Sequence, residues 1–239
     1  MKLEIDFKKI RVSLLEMADI MKNEWPFVIS YATNKTAQIV KEEIKNEMLR
    51  VYKNPTPYTM RGLWMTPGDK SNPAAYVWMK GFPDKYQRPE VYGGSRRQKR
   101  SEVLLKSSGA MGNFDYYAPG KNTPLNSYGN ISPGTIVQIL SQTKSFWESG
   151  YNANISKRKG SRKPKTTYFA IRKQKGDLAP GIYKRVGEYN ITRVLKFIRP
   201  PAYPKIFYFF KICKKVFYAN INEQIGKAIK YCKLNPYVK

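Results

Sequence analysis

Arg96, Arg97, Lys99 and Arg100 share the hexapeptide Ser95-Arg96-Arg97-Gln98-Lys99-Arg100. Lys157, Arg158, Lys159, Arg162, Lys163 and Lys165 crowd a second short stretch, and no acidic residue interrupts either. Cations in such runs do not make or break bonds. They neutralise the phosphates or carboxylates of a polyanion and release its counterions, without reading bases. The first cluster stands at the start of an expected short helix, where the helix dipole already favours an anion. The second occupies a loop with Gly160, Ser161 and Pro164, suited to tracking a phosphate backbone. A third group, Lys205, Lys211, Lys214 and Lys215, is expected on the solvent side of the last helix. Each cluster taken alone also fits a solvated charge run or an intersubunit salt bridge. Tyr116, Tyr117, Tyr128, Tyr151 and Tyr168 lie near the basic stretches. They have the rings for stacking on single-stranded bases, although core packing is the commoner use of tyrosine.

Bond-making chemistry is poorly supplied. The chain has no histidine, which removes the commonest general base, the usual catalytic triad and most zinc sites. Beyond residue 115 the only carboxylates are Glu148, Asp177, Glu188 and Glu223, with no close pair for acid–base work or for magnesium. No phosphate-binding G-x-x-x-x-G-K-[ST] loop occurs. Gly181-Ile182-Tyr183 matches the first half of the GIY-YIG nuclease motif, but the second half is absent, so a glycine-led strand is expected there. Cys213 and Cys232 stand nineteen apart, outside zinc-type spacing, and both fit the apolar face of one helix as buried free thiols of a reducing compartment. These residues predict a protein that is not an enzyme and needs no cofactor or metal.

The charge is unevenly placed. The formal net charge is +27, yet residues 1–50 hold nine basic and eight acidic residues, leaving 35 basic and nine acidic for the remainder. Such an excess opposes folding through self-repulsion, so a polyanionic partner is expected beyond the N-terminal region. No run approaches the roughly 20 apolar residues that span a bilayer, and the N-terminus has no apolar signal-peptide region; no membrane association is expected.

The elements that must position these cations read as α+β: about five mostly antiparallel strands packed with long N-terminal and C-terminal helices, with loop-rich insertions. The chain reads as a single domain. Residues 1–53 are N-terminal helices, 54–199 a β-core with helical and basic-loop insertions, and 200–239 a C-terminal helix. A helix over 7–25 precedes a stronger one carrying Ile29, Ala32, Ala37, Val40, Ile44, Met48 and Val51 at helical spacing and running to about Tyr52. Asn54-Pro55-Thr56-Pro57 stops it. Met60–Thr66 and Ala74–Lys80 predict a β-hairpin. A short helix over Gln98–Ser107 carries Val103 and Leu104 inside, and 109–129 reads as loop. Ser132-Pro133 marks a helix start, serine as cap and proline at the first position. Strands follow at Thr166–Arg172, Gly181–Val186 and Ile191–Arg199. A last helix of roughly 25 residues buries Ile212, Cys213, Val216, Phe217, Ile221, Ile225, Ala228, Ile229 and Cys232.

Five stretches, in order, carry a resemblance: "NPTPYTMRGLWMTPGDK" (54–70), "VYGGSRRQKRSE" (91–102), "LNSYGNISPGTIVQILSQ" (125–142), "PGIYKR" (180–185) and "VLKFIRPPAYPKIFYFFK" (194–211). The N-terminal "SYATNKTAQIVKEEI" adds to it. Together they resemble the tailed-bacteriophage minor tail or tail-completion proteins of the head–tail junction, over about residues 27–230. The resemblance implies a virion structural protein of the neck, made in the host bacterial cytoplasm. It implies a homo-oligomer ring joining portal or adaptor proteins to tail tube or tail terminator proteins around the channel that holds genomic double-stranded DNA. It brings no catalytic residues. Two other readings stand beside it: a basic DNA-binding protein outside the virion, and a tail assembly chaperone lost from the finished particle.

Overall fold

The computed structural model describes residues 2–4, 24–146, 166–187 and 189–234. The chain forms two compact units, residues 1–93 with 204–239 and residues 94–203. The fold is α+β throughout. Residues 7–23 of the expected helix over 7–25 and the basic loop over 152–165 lie outside the described residues, and Trp25 opens the following helix instead of ending this one.

The first unit is built on two long helices, α1 (Trp25–Val51) and α6 (Phe209–Leu234). Val28, Ala32, Ala37, Val40, Ile44 and Met48 recur every three to five residues of α1 and are fully buried. They meet Cys213, Phe217, Ile221, Ile225, Ala228 and Cys232 of α6 in one core. Both cysteines are buried free thiols. Burial pushes the Cys213 thiol up to about 12. Ala32, Thr33, Thr36 and Ala37 of α1 have no exposed surface, and Thr33 donates to the Ile29 carbonyl within its own helix (2.7 Å).

A three-stranded antiparallel sheet of order β1-β3-β2 completes the unit, from β1 (Lys2–Glu4), β2 (Leu63–Thr66) and β3 (Tyr76–Met79). Leu63 and Met65 lie opposite Met79 and Val77, facing the helices, while Trp64 pairs with Trp78 on the other face. The expected hairpin is present, but its first strand begins at Leu63 rather than Met60. Thr56 accepts the Thr59 N–H (3.1 Å) and Pro57 sets the first turn, so a short helix α2 (Pro57–Arg61) forms instead. Asn34 on α1 clamps the hairpin loop, donating to the Gly68 carbonyl (2.9 Å) and accepting its N–H (2.8 Å). Helix α3 (Gly81–Tyr92) follows, despite Pro89 inside it. Its Glu90 carbonyl accepts the N–H groups of Ile206 and Phe207, and Phe207 and Phe209 plug the core with no exposed surface.

The second unit begins and ends in a two-stranded ribbon, β4 (Gly94–Ser95) antiparallel to β9 (Ala202–Tyr203). Its centre is a four-stranded antiparallel sheet of order β5-β8-β7-β6. The strands are β5 (Tyr116–Pro119), β6 (Thr166–Ile171), β7 (Gly181–Val186) and β8 (Asn190–Ile198). Tyr117, Tyr168, Ile182, Leu195 and Phe197 pack one face against Leu104 and Leu105 of α4 (Arg100–Ser107) and Ile139 and Leu140 of α5 (Pro133–Gln142). Helix α5 starts as expected, with the Ser132 hydroxyl accepting from Thr135 N–H (3.1 Å). On α4, Val103 is exposed rather than inside. Leu104 and Leu105 take the buried positions, and one residue of helix turns Val103 about 100° away from Leu104.

Candidate functional site

The cluster at Arg96–Arg100 is organised around an anion of the protein's own. Glu102 is fully buried and accepts four hydrogen bonds. Two come from the Arg96 guanidinium (2.6 and 2.7 Å), one from the Lys99 backbone N–H (2.7 Å) and one from the Tyr117 N–H (3.1 Å). A bidentate arginine plus two backbone donors is a strong, charge-assisted arrangement. Burial works to raise the Glu102 pKa; the Arg96 guanidinium and the Lys99 and Tyr117 N–H groups overcome it and hold the carboxyl below its ordinary range. Arg96 also lies over the Tyr116 ring (4.8 Å), and Tyr116 donates its hydroxyl to the Arg96 carbonyl (2.9 Å). The result is a latch joining the start of α4 to β5. Glu102 is the third residue of its helix, so it already fills the dipole site where an external anion was expected.

The expected contact residues therefore separate. Arg96 is consumed by the latch. Lys99 lends its N–H to Glu102 and sets its ammonium near the Tyr117 ring (5.5 Å). Arg97 and Arg100 are exposed. Lys157, Arg158, Lys159, Arg162, Lys163 and Lys165 lie outside the described residues. Lys205, Lys211, Lys214 and Lys215 are exposed and join no ion pair among the described residues, but Lys205 precedes α6 and only the other three stand on its solvent side. The tyrosines divide similarly. Tyr116, Tyr117 and Tyr168 are buried and not available for stacking, Tyr128 is exposed, and Tyr151 lies outside the described residues.

One group of cations was not singled out from the sequence. Opposite partners in an antiparallel sheet share a face. Ile182 and Leu195 point to the core, so the pairs Arg185–Ile191, Tyr183–Arg193 and Gly181–Lys196 point away from it. Arg185 and Lys196 are exposed, and Arg193 is half-buried where its stem crosses Gly181. A Cβ at Gly181 would strike the Leu195 carbonyl as well as Arg193, which explains why a glycine leads this strand. Lys184 and Arg185 are adjacent and Arg193 and Lys196 stand three apart, so no period-two pattern in the sequence marks this row. The four strands contain Lys184, Arg185, Arg193 and Lys196 and no carboxylate.

Among the described residues, no three His, Cys, Asp or Glu side chains gather in a way that could hold a metal ion. No helix among them is long and apolar enough to cross a membrane. Set against protein-family models, curated proteins and solved structures, the chain matches none.

Proposed function

We propose that this protein is a non-catalytic structural component of a tailed-phage particle, a tail-completion or neck subunit that assembles into a homo-oligomeric ring at the head–tail junction. In this reading the ring joins portal-side proteins to the tail around the DNA channel, and its cationic surface lies beside a polyanion. The observation that carries the proposal is the concentration of charge. Residues 94–203 hold 21 Lys and Arg against five Asp and Glu. Two of those five acids are engaged internally, Glu102 with Arg96 and Asp115 with Lys106. The five stretches that carry the family resemblance also fall on structural joints: the capped α2–β2 turn, the Glu102 latch, the capped α5, the start of β7, and β8 through the Phe207–Phe209 plug. Joints of that kind preserve a shape for assembly and supply no reacting group.

Mass analysis of purified virions tests the assignment. The protein should be a stoichiometric component of mature particles. Presence in assembling tails with absence from finished particles would replace this reading with an assembly chaperone. Absence from both, with duplex binding by the lone subunit, would favour a DNA-binding protein outside the particle, which the same charge concentration also suits.

A further inference from the structure

We propose that the face of the β5-β8-β7-β6 sheet turned away from α4 and α5 seats the phosphate backbone of double-stranded DNA along the row Arg185, Arg193 and Lys196. This goes beyond the particle assignment, since it applies wherever the protein meets DNA.

The row follows from register. Arg185 lies at the level of Ile191, Arg193 at the level of Tyr183 and Lys196 at the level of Gly181. Successive levels are two residues apart on β7, about 7 Å along the strand direction. The shift in register between Ile182 and Tyr183 is what brings Arg193 and Lys196, three residues apart in sequence, onto one face. Without that bulge they would point to opposite sides of the sheet. Lys196 stands opposite Gly181 and Ala118, both small, and is exposed. None of the three cations is in an ion pair with a described residue, and no strand of the sheet carries an acid.

A line of cations that pair with no described residue, at regular steps, matches a linear array of phosphates, whereas an acidic protein surface has no such period. The aromatic residues of the face decide between duplex and single strand. Single-strand binders present free rings to bases. Here Phe169 stacks on Tyr183 (5.9 Å between centroids), Arg185 covers Phe169 (5.5 Å), and the Tyr183 hydroxyl is tied to the Ala179 carbonyl (2.7 Å). The rings are spent on each other, so the face offers charge without a stacking platform. Binding should be independent of sequence and steeply dependent on salt.

The test uses the full chain and a fluorescent random-sequence DNA duplex, with anisotropy titrations over a series of salt concentrations. Each phosphate contact contributes about 0.9 to the slope of log affinity against log salt. The Arg185→Ala/Arg193→Ala/Lys196→Ala variant should therefore lower the parent slope by about 2 to 3. A Lys211→Ala/Lys214→Ala/Lys215→Ala variant on α6 should leave the slope contribution of the sheet intact. If the sheet variant melts below the parent, the single exposed changes Arg185→Ala and Lys196→Ala serve instead, each expected to lower the slope by about 1. An unchanged slope in folded sheet variants overturns the proposal, as does failure of the parent to bind duplex. Tighter binding of single-stranded DNA than of duplex overturns it as well.

Discussion

At Glu102 and Glu90 burial acts on two carboxyls with opposite outcomes. Glu102 has Arg96 and two backbone N–H groups to oppose desolvation, so its folded pKa is depressed. A depressed carboxyl contributes stability above its unfolded pKa of about 4.3, and that stability is lost as pH falls through the folded value. Glu102→Gln keeps the shape but leaves the largely buried Arg96 guanidinium without its counter-charge. It should cost about 3–5 kcal/mol in urea unfolding at neutral pH. The gap between parent and variant should narrow as the medium is acidified past the ordinary carboxylate range. Glu90, on α3, is the reverse case. Burial raises its pKa, and the nearby Tyr52 hydroxyl, close but not in good hydrogen-bonding geometry, only partly offsets this. The stability is full below the unfolded pKa and declines as pH rises through the folded one. Glu90→Gln should therefore raise the melting temperature at neutral pH and change nothing in acid. Equal effects of either substitution at both ends of the pH range would contradict these environments.

Single close approaches fix how the elements meet. Gly120 donates its N–H to the Val194 carbonyl (2.8 Å), and a Cβ there would collide with the Arg193 carbonyl of β8. Backbone cannot yield as a side-chain tip can, so Gly120→Ala should destabilise by at least about 1–3 kcal/mol in denaturant unfolding. Because the collision falls at the bulge, it should also displace Arg193 and weaken duplex binding. The elements with strong periodic signals were legible without a structure. Helices α1 and α6 show their buried faces in the apolar spacing, α5 in Ser132-Pro133, and β7 in its full span. Helix α3 carries no helical signal in the sequence, since Gly81, Pro83 and Pro89 all disfavour a helix interior; its place comes from tertiary contacts such as the Glu90 carbonyl with the Phe207 N–H. The site was less legible for a related reason. Arg96 looks like a free cation until Glu102 turns inward, and the sheet row needs the register and the bulge, which no linear pattern contains.

Across the whole molecule the two units have separate cores, and both cysteines belong to one of them. The first core joins α1 and α6 with the β2–β3 hairpin, bringing together segments at opposite ends of the chain. The second joins the four-stranded sheet to α4 and α5. Ile44 and Leu195 are fully buried, one in each core. Truncation of either to alanine should cost about 2–5 kcal/mol. The consequences differ in what they expose. Cys213 and Cys232 lie on the buried face of α6, and burial raises both thiols above their ordinary pKa, so neither reacts until the first core opens. Under native conditions, modification by a thiol reagent then measures the opening of that unit alone. Ile44→Ala should speed labelling of both cysteines by a large factor, while Leu195→Ala should leave the labelling rate at the parent value despite a comparable loss of total stability. If Leu195→Ala accelerates labelling as much as Ile44→Ala, the units open together, and a truncation in the sheet could no longer be assumed to leave the helical unit in place.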